Sequence, residues 1–332
     1  MIITELYSGQ GLGNQLWCYS VCRSIADELN MPFKISGKEN FKGKGFLNID
    51  FFSKEYEELY SGYCATGKTH DIFYERLFYD PELDYIASGF DGSVRMISPN
   101  TKIEGFFQSE KYFFNDLERI KRYIKIKDDK LSLISIPNNA CVLNIRGGEY
   151  KRHKRFILPR DYWLNAMKNM KDIYNVNNFV IVTDDPKYVK ALLPDIKTII
   201  TGIAESWIAL YRASFLIVSN STFSYFPIKV KIDKPVVIAP KYFARFNDKL
   251  NRWASPANIY KDWLWQDRCG ELATYEKCMD EAMKTEEYYL KNYHILTPPN
   301  VVYRNGFRNY IPRWIKRIIK RIFSILFPLK FG

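Results

Sequence analysis

Short apolar runs alternate with segments of helical period along the chain, and this pattern predicts an α/β protein. Residues 2–7 read as a strand, 14–30 as a helix and 33–36 as a second strand. On that helix Leu16, Val21, Ile25 and Leu29 fall near one face, as packing on a sheet requires. Residues 37–46 form a glycine-rich loop, and 47–100 is a mixed stretch of short aromatic-rich segments without a readable order. A strand at 102–107 leads into a helix capped by Ser109, with Phe113, Leu117, Ile120 and Ile124 on its apolar face. Residues 127–139, charged and then turn-forming at Pro137-Asn138-Asn139, mark a boundary. Beyond it, strands at 140–145, 179–183, 197–200, 215–219 and 236–239 alternate with helices at 161–171, 186–193 and 205–213. The runs "FVIV", "FLIV" and "VVIA" are short and continuous, as in parallel strands buried on both faces. Two successive α/β domains, 1–135 and 136–260, are expected to face one another across a cleft, followed by a helical segment 261–305 and a basic tail 306–332.

With 332 residues, 47% of them apolar and 16% aromatic, the chain is long and hydrophobic enough for two folded domains. The net charge of +12 suggests nucleic acid or membrane, and its distribution decides between them. No acidic residue follows Glu287, whereas nine lysines and arginines do, so the body before the tail is nearly neutral. Nucleic acid is therefore not an expected partner. Six cysteines lie scattered without CxxC pairs, and the start of the chain lacks a basic segment followed by an apolar one. Reduced thiols in a cytoplasmic protein fit this usage. Cys18 and Cys22, one turn apart on the first helix, read as core packing and not as metal ligands.

Three strand ends carry candidate chemistry. "YSGQGLGNQLW" at 7–17 joins strand to helix through alternating glycines. A dinucleotide fingerprint would need a glycine where Asn14 stands and an acid after the second strand, where Ser36-Gly37-Lys38 stands; a Walker loop would need Lys-Ser or Lys-Thr. What the loop offers is backbone N–H groups and the Asn14 amide at a helix start, a place suited to an anion. The second end, "VLNIRGGEYKRHKR" at 142–155, presents Arg146 on a glycine turn, where a guanidinium can meet phosphate with paired hydrogen bonds. Lys151, Arg152, Lys154 and Arg155 read as a solvated loop. The third, "IVSNSTFSYF" at 217–226, sets Asn220, Ser221, Thr222 and Ser224 at a helix start, a cradle for phosphate that needs no metal. "VTDDP" at 182–186 reads first as a turn and helix cap, with nucleotide recognition by Asp184 as the alternative.

Taken in order, these motifs resemble the bacterial α-1,2-fucosyltransferases of glycosyltransferase family 11 and, more distantly, the wider GDP-fucose-dependent fucosyltransferases. The resemblance rests on "QGLGNQ" at 10–15, "GFFQSEKYF" at 105–113, "NIRGGEY" at 144–150, "VTDD" at 182–185, "SNSTFS" at 219–224 and "IAPK" at 238–241. It implies a GT-B-like fold, two Rossmann-type domains facing a cleft, with an acceptor-side domain first and a nucleotide-sugar domain second. It implies that Arg146 binds the β-phosphate of departing GDP, that Ser221, Thr222 and Ser224 supply hydroxyls to the donor phosphates, and that Gly13 and Asn14 face them across the cleft. Asn144, Asp184 and Asn220 are further candidates on the nucleotide side. The chain departs from the family motif at Asn144 for its histidine, Gly147 for its second arginine and Glu149 for its aspartate. Another nucleotide sugar in the same fold is therefore the alternative donor reading.

The implied reaction is an inverting displacement without a metal or other cofactor. A glycan acceptor hydroxyl attacks the sugar as GDP leaves, with Arg146 stabilising the departing charge and Glu149 as the candidate base. This is a galactoside 2-α-L-fucosyltransferase-like activity in surface polysaccharide or O-antigen synthesis. In "IPRWIKRIIKRIFSILF" at 311–327, bases recur three and four apart opposite a face of Trp and Ile. Such a helix lies on anionic lipid, which places the protein peripherally on the inner face of the cytoplasmic membrane and suits a lipid-linked acceptor. A non-catalytic basic membrane- or nucleic-acid-binding protein is the reading from a different class; salt-sensitive nucleic-acid binding without any effect of sugar nucleotides would favour it.

Overall fold

A computed structural model describes residues 1–53, 71–80, 85–152, 156–247 and 249–292. The basic helix expected at 311–327 and the end of the helical segment lie outside the described residues, as do Lys154 and Arg155.

The fold is α/β and built on two sheets. The first has four parallel strands in the order Phe33–Ser36, Ile2–Glu5, Thr101–Glu104, Asp71–Tyr74. In the second, the order is Ile199–Ile200, Asn178–Thr183, Ala140–Ile145, Phe215–Val218, Val236–Pro240, Leu264–Gln266, Leu272–Ala273. Only its last pair is antiparallel. Numbered along the chain, its six parallel strands run 3-2-1-4-5-6, the doubly wound Rossmann order. Ala140–Ile145 is buried at every position, which is why its apolar run shows no alternation.

Three differences from the sequence expectation have physical causes. First, the helix expected after Ser109 is broken. A 3-10 turn, Glu110–Phe113, is capped by the Ser109 hydroxyl, which accepts from the Lys111 N–H at 3.3 Å. The chain then takes left-handed conformations at Phe114 and Asn115 (φ 50° and 69°) and resumes as Glu118–Tyr123. The break keeps Tyr112, Phe113 and Ile120 all fully buried. Second, Leu264–Gln266 pairs in parallel with Val236–Pro240, so the second sheet continues past residue 260. Third, the helix Leu12–Glu28 is buried on nearly every side and not on one face. It lies between the sheets: Trp17 stacks on Tyr225 with ring centroids 4.4 Å apart, and one continuous apolar core runs from Ile2 through Trp17 to Val142 and Trp207. The two α/β units thus share a core on one face of the second sheet, while its other face packs a separate cluster around Leu143, Trp163 and Ile181.

Candidate active site

In a sheet of order 3-2-1-4-5-6 the strand order reverses between strands 1 and 4, and the crevice beyond their carboxyl ends is where ligands bind. Here those strands are Ala140–Ile145 and Phe215–Val218, so their ends deliver Asn144 and Arg146 on one side and Ser219, Asn220 and Ser221 on the other. The topology therefore brings the second and third sequence motifs together. They are tied where they leave the sheet: the Ser219 N–H donates to the Asn144 carbonyl at 3.1 Å, and the Ser219 hydroxyl to the Asn144 side chain at 3.3 Å.

Arg146 is held in place by Asp184, at the end of the neighbouring strand. One Asp184 oxygen accepts from the Gly147 N–H at 2.9 Å and the other pairs with Arg146 Nη1 at 3.1 Å. The guanidinium lies 5.3 Å from the Tyr150 ring, and the Tyr150 hydroxyl donates to the Asn220 carbonyl at 3.1 Å. Arg146 Nε has no partner among the described residues. Glycine is needed after the arginine because a Cβ on Gly147 would lie 2.7 Å from Asp185 Cβ and 2.8 Å from the Tyr188 ring. A second side chain has no room there. Asp185 caps the helix Pro186–Leu192, accepting from the Tyr188 N–H at 3.1 Å, and Lys151 holds its carboxyl below the ordinary aspartate range. Lys151 and Arg152 are exposed, as expected of a solvated loop, and Lys151 is in addition the ion-pair partner of Asp185. Asp184 spends both oxygens on Arg146 and its turn, which makes it a positioning group. Glu149 is exposed and is not the residue that orients Arg146.

The first glycine loop lines the cleft, Gly13 and Asn14 included, and it also joins the two sheets. A Cβ on Gly13 would meet the Thr222 carbonyl carbon at 2.4 Å and the Phe223 nitrogen at 2.6 Å. Gly13 is the point where the start of the helix touches the 221–223 turn. Asn14 Oδ1 accepts from the Thr222 hydroxyl at 2.7 Å and from Gln108 Nε2 at 3.2 Å, and Asn258 Nδ2 donates to Gln108 at 3.2 Å. Asn14 and Thr222 are therefore bonded to each other across the two sheets. Ser224 is fully buried and donates to the Ser221 carbonyl at 3.0 Å, so its hydroxyl stiffens the turn and does not face the cleft. The Ser221 hydroxyl accepts from the Phe223 N–H at 3.3 Å while the residue still lines the cleft. Asn220 is buried, and its side-chain amide has no partner among the described residues.

Two cavities adjoin in this cleft. One, of about 410 Å³, opens over the ends of the first sheet's strands and is lined by Glu5, Tyr7, Glu104, Phe106, Ser221 and Thr222 among others. The other, of about 330 Å³, opens over the second sheet and is lined by Lys42, Asn144, Thr183, Asp184, Ile203 and Ser206 among others. Arg146, Glu149, Phe223, Gly9, Gly11 and Leu12 line both, and so form the seam between them.

Sequence reasoning missed Lys42, Glu5 and Glu104. Lys42 reaches the smaller cavity because Gln15, fully buried, accepts from the Lys42 N–H at 3.0 Å and donates to the Asn40 carbonyl at 2.8 Å, pinning the 38–42 loop to the first helix. Another missed acid, Glu75, accepts from the N–H groups of Phe106 and Phe107 at 2.7 and 2.8 Å and from the Tyr112 hydroxyl at 3.0 Å. Burial pushes its carboxyl up to about 8 against the pull of these three donors, and it shapes the 105–107 turn behind the cleft. Cys18 and Cys22 are buried in the core, as expected, with burial pushing the Cys18 thiol up to about 12. Among the described residues no group of three His, Cys, Asp or Glu is placed to hold a metal ion.

No family model matches the sequence, and no curated protein matches it. Solved structures with a similar course of the chain include the fucosyltransferase NodZ from Bradyrhizobium, at 10% identity and a TM-score of 0.43 over 69% of this chain and 92% of that one. They also include a mutant of Arabidopsis thaliana FUT1 in complex with GDP, at 10% identity and 0.41 over 71% and 70%. POFUT1 in complex with GDP follows at 8% identity and 0.40 over 72% and 97%. The functional reading rests on the residues of the cleft and not on these likenesses.

Proposed function

We propose that the protein is an inverting glycosyltransferase that moves a sugar from a nucleoside diphosphate sugar to a hydroxyl of a glycan acceptor. The observation that carries this reading is the placement of Arg146 at the Rossmann switch point, on the seam of two adjoining cavities, clamped by Asp184. A transfer between two substrates needs two compartments that meet at the reacting atoms, and a fixed cation where negative charge appears on the leaving group.

In this reading the donor occupies the smaller cavity, with its diphosphate between Arg146 and Lys42 and reaching the seam at Phe223. The acceptor enters from the larger one. Its hydroxyl oxygen forms the new bond to the anomeric carbon as the bond to the β-phosphate oxygen breaks. The charge left on the diphosphate meets a guanidinium already oriented, so little reorganisation is needed during the step. Glu149, exposed on the seam, is the candidate to receive the hydroxyl proton. GDP-fucose is the donor that the sequence motifs favour, an α-1,2 linkage the finer reading, and surface polysaccharide synthesis its setting. Among the described residues no helix is long and apolar enough to cross a membrane; the 311–327 segment supports peripheral attachment to an anionic inner leaflet and a lipid-linked acceptor.

Another nucleotide sugar is the second reading, favoured by the enclosure of Gly147, which leaves Arg146 alone in its turn. Thermal stabilisation by GDP, UDP, CMP, dTDP and their sugars separates the two, since a bound ligand raises apparent stability by mass action. Selective stabilisation by GDP and GDP-fucose, lost in Arg146→Ala, is expected. Selective stabilisation by another nucleotide replaces the donor, and none from any of them removes the proposal.

A further inference from the structure

The larger cavity has a polar floor. Glu5 and Glu104 end adjacent strands of the first sheet, and Lys102 lies between them. Lys102 Nζ pairs with Glu5 Oε2 at 2.6 Å and with Glu104 Oε1 at 2.8 Å, and it donates to the Tyr7 hydroxyl at 3.1 Å. The Tyr7 hydroxyl in turn donates to Glu104. Glu5, Tyr7 and Glu104 line the cavity, together with Phe106 and Phe223, both half-buried. Burial works against the Lys102 ammonium, but its bonds to Glu104 and Glu5 hold it above the ordinary lysine range, so it stays charged and fixed. Burial, and then the bond to Glu104, raise the Tyr7 phenol, which stays protonated.

The charge balance of this floor selects its ligand. Two carboxylates against one ammonium leave a negative surface, which repels a diphosphate at close range. The same surface suits a neutral polyhydroxylated molecule, because carboxylate oxygens accept strongly from hydroxyl pairs. Glu5 has one oxygen anchored on Lys102 and its side chain is 36% exposed, so the other oxygen is available to a ligand. Phe106 and Phe223 add apolar surface for the C–H face of a sugar ring.

We propose that Glu5, Tyr7, Lys102 and Glu104 form the acceptor-sugar subsite, in which Glu5 and Glu104 accept hydroxyls of a neutral glycoside and so set acceptor specificity. This rests on the glycosyltransferase reading for its purpose and on the cavity for its chemistry. Glu5 and Glu104 recognise the acceptor; the proton of the attacking hydroxyl is a separate matter, assigned to Glu149.

The test is saturation-transfer NMR of the full chain with the methyl glycosides of galactose, glucose and N-acetylglucosamine as probes. It is run on wild type, Glu5→Gln and Glu104→Gln, beside nucleotide-induced thermal stabilisation of the same proteins. At least one glycoside is expected to receive saturation from wild type. That signal should fall at least fivefold in both glutamine variants, while nucleotide stabilisation stays intact in Glu5→Gln and Glu104→Gln. Should Glu104→Gln prove unfolded because Tyr7 and Lys102 lose their shared partner, Glu5→Gln decides alone. No glycoside signal from wild type, or equal signal from wild type and Glu5→Gln, overturns the subsite. So does loss of nucleotide stabilisation in Glu5→Gln, which would put the donor in this cavity. A glycoside signal without any nucleotide response in wild type would keep the subsite and remove the transferase reading.

Discussion

Gly13 and Gly147 both belong to glycine clusters at strand ends, and a Cβ on either would collide with a neighbour, but the neighbours differ in kind. At Gly13 the obstacle is the backbone of Thr222 and Phe223, which belongs to the other sheet. At Gly147 it is the side chains of Asp185 and Tyr188, which follow the adjacent strand of the same sheet. The first glycine sets the distance between the two sheets. The second lets a turn close tightly enough for Asp184 to grip Arg146. One turn is a joint and the other aims a charge, although both read in sequence as places for an anion.

Variants at the two turns should separate accordingly. Removing the aimed charge has the largest effect. Arg146→Ala is expected to slow turnover about a hundredfold or more, roughly 3 kcal/mol of transition-state stabilisation. Initial rates of nucleotide release measure this, thermal stability should hardly change, and Arg146→Lys should recover little because the paired geometry is lost. At the joint, Gly13→Ala forces backbone apart and should lower stability by about 2 kcal/mol in denaturant titration. If Gly13 were a ligand contact only, the midpoint would not move. Asp184→Asn keeps the volume but loses the ion pair, and about a tenfold fall in turnover is expected; an unchanged rate would show that Arg146 needs no clamp. The smallest effect belongs to Thr222→Val, which deletes the bond to Asn14 and should cost about 1 kcal/mol of stability. A rise in donor KM without loss of stability would return Thr222 to the phosphates.

Much of the fold was legible because its strands are buried on both faces. Phe215–Val218 is apolar throughout and Ala140–Ile145 at every position but Asn144, and such runs announce themselves. Asp71–Tyr74 does not, since it is an edge strand with Ile72 and Tyr74 half in solvent. The three residues of Leu264–Gln266 are too few to show a period. The helix break at Phe114 was hidden because Phe113, Leu117, Ile120 and Ile124 keep helical spacing while the backbone between them does not. In the site, Arg146 and Ser221 could be picked out because strand ends are where α/β folds bind ligands. The roles of Asp184, Asn14 and Thr222 could not, since each depends on a partner far along the chain; Thr222 and Asn14 are 208 residues apart. Glu5 and Glu104 likewise become a pair only when their strands lie side by side.

The division of the cleft into a donor and an acceptor compartment is tested most directly by hydrogen–deuterium exchange, with and without a saturating amount of the nucleotide that most stabilises the protein. Slower exchange is expected at 144–149, 182–184 and 202–206, segments that line the smaller cavity, with no change at 5–7 and 102–105. Protection centred on 5–7 and 102–105, or none at 144–149, would contradict it.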